Sequence, residues 1–309
     1  MALGILAIGG YLPKARLQRI DIAKANAWFN PALKGLANGE RTMANWDEDS
    51  VTMAVEAGRD CLTGIDRNTV AGIYMASTSF PFQDRQNAGI VADALNLSTR
   101  IQTLDISSSQ RAGSSALLTA LQSVRSAEGP ILVSASEKRR ARAASPLELT
   151  TGDGAAAVLV GEGEPIAHYI GGHTEAVDFV DHYRGEGEAF DYNWEERWVR
   201  DEGYMKIAPN AINNLLDKVG VSAQDIDTFC FPVAMRRVAS GLARKIGIAE
   251  ESVADNLQSR CGETGSAHAL VLLVHALEQA KPGEKILVAG FGQGCDVLLF
   301  EATDAIKAV

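Results

Sequence analysis

The chain contains the same succession of elements twice, with an offset of about 150 residues. In the first half, a helical segment at 113–129 is followed by the apolar run 131–133. In the second half, a helical segment at 265–283 is followed by the apolar run 286–288. An upstream helix and strand repeat in the same way. The offset is too long for a solenoid repeat but is close to one domain length, so a duplicated βαβ-rich domain is predicted.

Short apolar runs recur along the chain and alternate with amphipathic helices, as in strands that are covered on both faces. These runs lie at 3–8, 72–76, 131–134, 155–160, 228–231, 286–289 and 297–300. The helices 114–126 and 266–280 are almost entirely small or apolar, which indicates that they lie between two sheets. We therefore predict an α/β fold in which two similar halves, 1–165 and 166–309, stack around two buried helices.

Composition limits the partners and ligands that the chain can have. With 309 residues, 46% hydrophobic, the chain is long enough for a large core, and its net charge of −10 disfavours nucleic acid and anionic membranes as partners. The four cysteines are scattered without a CxxC pair, so no zinc site or disulfide framework is predicted. Segment 1–11 is interpreted as a first buried strand, and no transmembrane segment is expected. The scattered cysteines fit a reducing cytoplasm, which is the expected location.

Several short motifs, in this order, resemble the thiolase superfamily, in the branch of 3-hydroxy-3-methylglutaryl-CoA synthase and ketoacyl synthase III, particularly the archaeal-type synthases. The motifs lie at 46–54, 76–81, 104–106 with 111–113, 152–157, 262–265 and 290–294, and the resemblance extends from 3 to about 302. It implies a five-layered αβαβα fold made of two similar halves, usually dimeric. It also implies chemistry on acyl thioesters of coenzyme A.

The resemblance places unexpected residues at the family's catalytic positions. Gln110 stands where the nucleophilic cysteine belongs at the start of the first buried helix, and an amide cannot form an acyl-enzyme. Thr78 replaces the acid glutamate, Glu263 replaces the asparagine, and no histidine occurs at 231–232. We therefore expect that the chain does not perform the family's condensation, with Gln110 and Glu263 as the remaining candidate catalytic residues.

Other candidate site residues also follow from the resemblance. Gly292, in the turn 290–294, matches the position that supplies a backbone amide to an oxyanion hole. Four basic residues match the region where the synthases bring positive charge toward the CoA phosphates, although a solvated helix face explains them equally well. They are Arg236, Arg237, Arg244 and Lys245.

Three further features have ordinary structural interpretations. The basic run 138–142 is typical of an exposed loop or a subunit contact. Segment 178–203 is rich in charge and is interpreted as a linker or cap between the halves. The simpler interpretation is a solvent-exposed segment that a few aromatic side chains anchor to the core. His268 and His275 share one helical face and are expected to be core residues.

Three hypotheses of function remain open. The first is a non-condensing subunit of a heteromeric acyltransferase complex, whose partners would be a catalytically intact thiolase-fold paralogue and a small zinc-ribbon and OB-fold protein, assembled as a homo- or heterodimer. The second is an acyl-CoA lyase, a retro-aldolase or decarboxylase, that works without a covalent intermediate through Gln110 and Glu263. The third is an active acyltransferase with a displaced nucleophile, Cys261 or a serine of 107–109. Coenzyme A thioester is the expected ligand, with no metal or other cofactor.

Overall fold

The computed structural model describes residues 2–308. Its strands are β1 Ala2–Tyr11, β2 Ala15–Gln18, β3 Glu40–Met43, β4 Gly72–Ala76, β5 Gln102–Ile106, β6 Ile131–Glu137, β7 Gly154–Gly163, β8 Ala167–Ala176, β9 His182–Tyr183, β10 Tyr192–Asn193, β11 Thr228–Cys230, β12 Lys285–Phe291 and β13 Gly294–Ala302. Its α-helices are α1 Arg19–Ala25, α2 Ser50–Cys61, α3 Asn87–Ala94, α4 Ala112–Ser123, α5 Pro146–Thr150, α6 Glu196–Trp198, α7 Ile207–Val219, α8 Val238–Ile246 and α9 His268–Leu277.

The main sheet has the strand order β11-β12-β13-β8-β1-β7-β6-β4-β5. The strands of the first half, β5-β4-β6-β7-β1, meet those of the second half through a short antiparallel pairing of β1 with β8. Helix α2 packs on β1, β6 and β7, and α7 packs on β8 and β13, so these two helices cover the outer faces. The molecule is therefore an α/β assembly of two similar sheet-and-helix halves, as the repeat predicts.

Helices α4 and α9 form the central layer between the two halves. Helix α4 contacts β4 and β6 on one side and β13 on the other, while α9 contacts β7 on one side and β11 and β12 on the other. Nine of the ten residues of α9 are buried, because both faces of the helix are covered by strands. The two helices begin close together: a Cβ added at Gly113 would lie 2.3 Å from the carbonyl oxygen of Ser266. This convergence places two helix N-termini at one end of the core.

Most predicted elements are confirmed, with differences at their ends. The helix expected at 266–280 begins as a 3-10 turn at Gly265–Ala267 and continues as α9. Strands β5 and β8 were missed because β5 is a partly exposed edge strand and β8 is half-exposed and rich in polar residues and glycine. The division between residues 165 and 166 stays a prediction. Within residues 2–308, no helix is long and apolar enough to cross a membrane.

Candidate functional site

A cavity of about 320 Å³ opens beside the start of α4. Four segments line it: the loop that follows β4, the loop that follows β5, the turn between β12 and β13, and the segment that contains β9 and β10, which we call the cap (residues 178–203). The lining residues are Thr78, Ser107, Ser108, Ser109, Gln110, Asp181, His182, Tyr183, Arg184, Asp191, Gly292 and Gln293. The cap is therefore part of the site, although most of its residues are exposed, so the simpler interpretation of a solvent-exposed segment fails only for the residues that line the cavity.

Gln110 lies two residues before α4 and faces the cavity. Its Nε2 is 3.1 Å from Nε2 of His182, while its Oε1 is buried without a hydrogen-bond partner among the described residues. The preceding loop is tightly turned, since Ser108 has a φ of 69°, in the left-handed region that few side chains favour. The structure thus brings the residue at the expected nucleophile position into contact with a histidine from the cap.

His182 is held by its neighbour Asp181. Nδ1 of His182 lies 3.2 Å from Oδ2 of Asp181, and the His182 backbone amide donates to Oδ1 of the same carboxylate at 2.9 Å. Because Nδ1 faces a carboxylate, it carries the proton in the neutral ring, and Nε2 then accepts from the Gln110 amide. Sequence reasoning missed His182, since its segment has no periodic pattern and the contact spans 72 residues.

A buried ion network anchors the cap. Arg139 donates to Oδ2 of Asp191 at 2.5 and 3.0 Å and to Oε2 of Glu263 at 3.1 Å, and Arg184 contacts Asp191 at 3.0 Å. Burial opposes the charge of Arg139, but Glu263 and Asp191 raise the pKa of its guanidinium overall. Burial similarly opposes the charge of Asp191, yet the positive charge of Arg139 lowers its pKa. The Arg139 side chain is only 7% exposed, so the interpretation of 138–142 as an exposed loop is wrong for this residue.

Glu263, a candidate acid or base, is the ion-pair partner of Arg139 and is absent from the cavity lining. Its carboxylate therefore serves the anchoring network in this structure. The structure does not bring Glu263 into contact with Gln110, and the pairing of the two as a catalytic set stays a prediction without direct support.

A second buried carboxylate, Glu137, fixes the floor of the site. It accepts from the Thr78 amide at 3.1 Å and hydroxyl at 2.9 Å, and from the Ser266 hydroxyl at 2.7 Å. These bonds join the ends of β4 and β6 to the 3-10 turn that precedes α9. Thr78, which the motif resemblance aligns with a glutamate, is thereby a partner of Glu137.

The turn between β12 and β13 is tied to the start of α4. The carbonyl oxygen of Gly292 accepts from Oγ of Ser109 at 2.8 Å and Nε of Arg111 at 2.9 Å. The Gly292 amide donates within its own turn, to the carbonyl oxygen of Gly294 at 3.0 Å. The oxyanion role of Gly292 stays a prediction, and it requires that this turn bond be given up. Arg111 also pairs with the buried Asp296 at 2.6 Å.

The four cations suggested for CoA binding are exposed residues on and just before α8. Arg244 pairs with Glu250 at 3.4 Å, and Lys245 donates to the carbonyl oxygen of Met205 at 2.5 Å. Neither these two nor Arg236 and Arg237 line the cavity. Their role in binding CoA stays a prediction.

The structure places the alternative nucleophiles unfavourably. All four cysteines are buried. Burial raises the pKa of Cys261 to about 11, and its thiol donates to the Leu257 carbonyl oxygen at 3.4 Å. Ser109 donates to Gly292, as described above, and the hydrogen bond of His182 Nε2 goes to Gln110 and not to a serine. Among residues 2–308 there is no group of three or more potential ligands arranged to hold a metal ion.

Similarity to known proteins agrees with this architecture. Residues 216–298 match the family described as 3-oxoacyl-[acyl-carrier-protein] synthase III C terminal. The hydroxymethylglutaryl-CoA synthase of Methanosphaera stadtmanae is 30% identical over 99% of this chain and 90% of its own length. The chain belongs to the hydroxymethylglutaryl-CoA synthase family. The corresponding synthase of Caldivirga maquilingensis is also 30% identical, over 99% of this chain and 89% of its own length.

Solved structures show the same fold. A hydroxymethylglutaryl-CoA synthase complexed with CoA superposes with a TM-score of 0.86 at 20% identity, covering 100% of this chain and 84% of that one. The 3-oxoacyl-(acyl carrier protein) synthase III of Pseudomonas aeruginosa also gives a TM-score of 0.86 at 20% identity, covering 98% of each chain. The thiolase-like five-layered fold and the synthase branch predicted from the motifs are confirmed. Within this hydroxymethylglutaryl-CoA synthase family member, Gln110 stands at the start of the central helix.

Proposed function

We propose that this hydroxymethylglutaryl-CoA-synthase-like protein binds an acyl-CoA in the cavity without forming an acyl-enzyme, and therefore does not condense acyl groups. The observation that carries the proposal is the position of Gln110. Its carboxamide faces the cavity at the start of α4, where a thiol would gain from the helix dipole, and an amide has no nucleophilic thiolate to offer. No cysteine lines the cavity to replace it.

Coenzyme A would reach the cavity with its phosphates near the exposed cations of α8. Arg236 and Arg237 are exposed and belong to the segment that precedes this helix, so they can meet a phosphate without losing a buried contact. The carbonyl end of the acyl group would then lie beside Gln110 and His182. This placement is the simplest one that uses both the cavity and the family's ligand.

The non-condensing chain is proposed to work as a cytoplasmic subunit of a heteromeric acyltransferase complex with a catalytically intact thiolase-fold paralogue, with a small zinc-ribbon and OB-fold protein as a further partner. Unusual exposure of large apolar side chains supports a protein contact: Trp46 is 89% exposed, Trp28 84% and Phe29 67%. Aromatic side chains of this size are enriched at protein–protein interfaces. Within such a complex, the chain itself can pair as a homodimer or as a heterodimer with the paralogue.

A second candidate function is favoured by one observation. His182 contacts Gln110 inside the cavity, so the site holds a group that can move a proton. This histidine does not come from 231–232, where the resemblance would place one. An acyl-CoA lyase that needs no covalent intermediate, a retro-aldolase or a decarboxylase, would use such a group.

Two measurements test the primary proposal. The purified full chain is titrated with acetyl-CoA in a calorimeter, and the same mixture is analysed by intact-mass spectrometry. We expect saturable binding and no acetyl adduct. Gln110→Cys serves as the positive control, since a thiol there faces His182 and the start of α4 and is expected to become acetylated. An acetyl adduct on the unchanged chain, or a failure to bind acetyl-CoA, contradicts the proposal.

The partner is tested by purification at native expression levels. We expect a thiolase-fold protein to co-purify with the unchanged chain and to be lost from the double variant Trp28→Ala, Trp46→Ala. The double variant should keep the same circular dichroism, because both side chains are exposed. A strictly homo-oligomeric unchanged chain would contradict the heteromeric assignment.

A further inference from the structure

The cavity contains one group that is placed to accept a proton from a bound ligand. Nδ1 of His182 is held by Asp181 at 3.2 Å, which leaves the lone pair of Nε2 pointing at the Gln110 amide 3.1 Å away. Both His182 and Gln110 line the cavity. The Asp181–His182–Gln110 arrangement is therefore a carboxylate, an imidazole and an amide in line, with the amide in the place that a substrate hydroxyl could take.

Most other titratable groups nearby are committed elsewhere, and Tyr183, which also lines the cavity, packs its ring against Tyr192. Asp191 is paired with both Arg139 and Arg184, and Glu263 is paired with Arg139 outside the cavity lining. Tyr204 is enclosed among aromatic rings, and burial raises the pKa of its hydroxyl. His182 is left as the lining residue whose basic atom is held only by an uncharged amide.

Gln110 offers an additional sign that a ligand belongs here. Its Oε1 is buried without a hydrogen-bond partner among the described residues, which is costly for a polar atom in a folded protein. A rotation of the side chain away from His182 would bring the Gln110 amide to a bound ligand and free Nε2 of the ring. A hydroxyl between the two side chains would then donate to His182 and accept from Gln110.

We infer that the chain is a carbon–carbon lyase that cleaves 3-hydroxyacyl-CoA thioesters by a retro-aldol reaction, with His182 as the catalytic base and acid and Asp181 as its positioning residue. The inference rests on the proposed function, that the cavity binds an acyl-CoA without acylation, and it deepens the second candidate function given there. It names the reaction, the substrate class and the residue that moves the proton.

The reaction balances without any further reactant. His182 Nε2 takes the proton of the 3-hydroxyl group, the Cα–Cβ bond breaks, and the hydroxyl oxygen becomes the carbonyl oxygen of a released aldehyde or ketone. The electron pair of the broken bond passes to Cα and the thioester carbonyl as an enolate, which the N-terminus of α4 stabilises. The proton on His182 is then delivered to Cα, giving a shortened acyl-CoA and a neutral imidazole.

The charges around the site favour this reaction over decarboxylation. A carboxylate on the reacting carbon would lie near Asp181, whose negative charge would repel it, and the lining cation Arg184 is already paired with Asp191. A neutral hydroxyl meets no such cost. Decarboxylation also does not begin with removal of a proton, so it would give the lone pair of His182 Nε2 no role in the first step.

The test uses the enolate step and therefore does not depend on knowing the released carbonyl compound. The full chain is incubated with acetyl-CoA in D₂O, and deuterium at the methyl group is measured by mass spectrometry. We expect exchange in the unchanged chain and a loss of roughly 10²- to 10⁴-fold in His182→Gln. His275→Gln, on a partly exposed histidine of α9 that does not line the cavity, is the matched control and should exchange normally.

Asp181 is tested as a positioning residue. We expect Asp181→Asn to lower the exchange rate at saturating acetyl-CoA while leaving the half-saturating concentration unchanged, and Asp181→Glu to restore part of the rate. A purely structural role would weaken binding and rate together. An unchanged rate in Asp181→Asn would overturn the assignment of this residue.

Calorimetry on the same samples separates the two levels of proposal. Binding of acetyl-CoA without exchange, or equal exchange in the unchanged chain and His182→Gln, overturns the lyase and leaves acyl-CoA binding in place. No binding at all overturns the proposed function, and the inference falls with it. Binding with exchange that depends on His182 supports both.

Discussion

Asp296 offers the sharpest test of how the site is held in place. This carboxylate is 1% exposed and accepts from Arg111 at 2.6 Å and from the hydroxyls of Ser114, Ser115 and Thr174. It therefore joins β13 and β8 to the first turn of α4. The substitution Asp296→Asn keeps the volume of the side chain but removes its charge.

The expected loss of stability follows from the burial of both partners. Removing one partner of a buried ion pair costs about 3–5 kcal/mol, because the remaining charge has no compensation. The Arg111 side chain is 16% exposed, so some water can reach it. We therefore expect a value near the lower end, about 3 kcal/mol.

The assay is urea unfolding followed by circular dichroism, with the midpoint and slope compared between variants. Asp304→Asn is the control, since the contact of Asp304 with Lys307 lies on the surface, with side chains 87% and 68% exposed, and should leave the midpoint unchanged. The double variant Asp296→Asn, Arg111→Met removes the uncompensated charge and should recover part of the loss. A midpoint for Asp296→Asn equal to that of the control would refute the reasoning.

Three further predictions concern packing, thiol chemistry and pH. Gly113→Ala should lower the free energy of unfolding by about 1–3 kcal/mol, since the added Cβ would lie 2.3 Å from the Ser266 carbonyl oxygen. In Gly241→Ala the added Cβ meets nothing within 4 Å, so this variant should raise the free energy of unfolding by about 0.5–1 kcal/mol. The urea midpoints of the two variants test these opposite signs. The four buried cysteines should resist a thiol reagent near pH 8 and all react after unfolding, and fast labelling of the native chain would contradict their burial. The pKa of Asp191 is lower in the folded chain than in the unfolded chain, so its carboxylate stabilises the fold above the unfolded pKa and loses this effect as the pH falls. The difference in unfolding free energy between the unchanged chain and Asp191→Asn should therefore be largest near neutral pH and shrink below about pH 4.

Local patterns were sufficient for the framework of the fold. Continuous apolar runs predicted the buried strands β6, β7 and β12, and the small and apolar residues of 114–126 predicted a central helix. Both patterns arise because these elements are buried on two opposite faces, so that nearly all of their residues are small or apolar. The half-exposed strand β8 carries no such pattern and was missed.

Only part of the candidate site could be predicted from the sequence. Motif order placed Gln110 at the start of the central helix, because that position is defined by its neighbours in the sequence. The partner of Gln110 could not be found in this way, since His182 comes from an irregular cap 72 residues away. Arg139 was misjudged for a related reason: a basic run resembles a solvated loop until Asp191 and Glu263, distant in sequence, are folded against it.

The sequence by itself determined the duplicated α/β framework and the family, because these depend on periodicity and on motifs of adjacent residues, and it predicted that Gln110 stands at the nucleophile position. Only the tertiary structure decided that the cap lines the cavity, that its His182, held by Asp181, meets Gln110, and that Glu263 is bound to Arg139. These contacts join segments whose separation in the chain carries no periodic signal, and they exist only where the packing of the two halves brings the segments together.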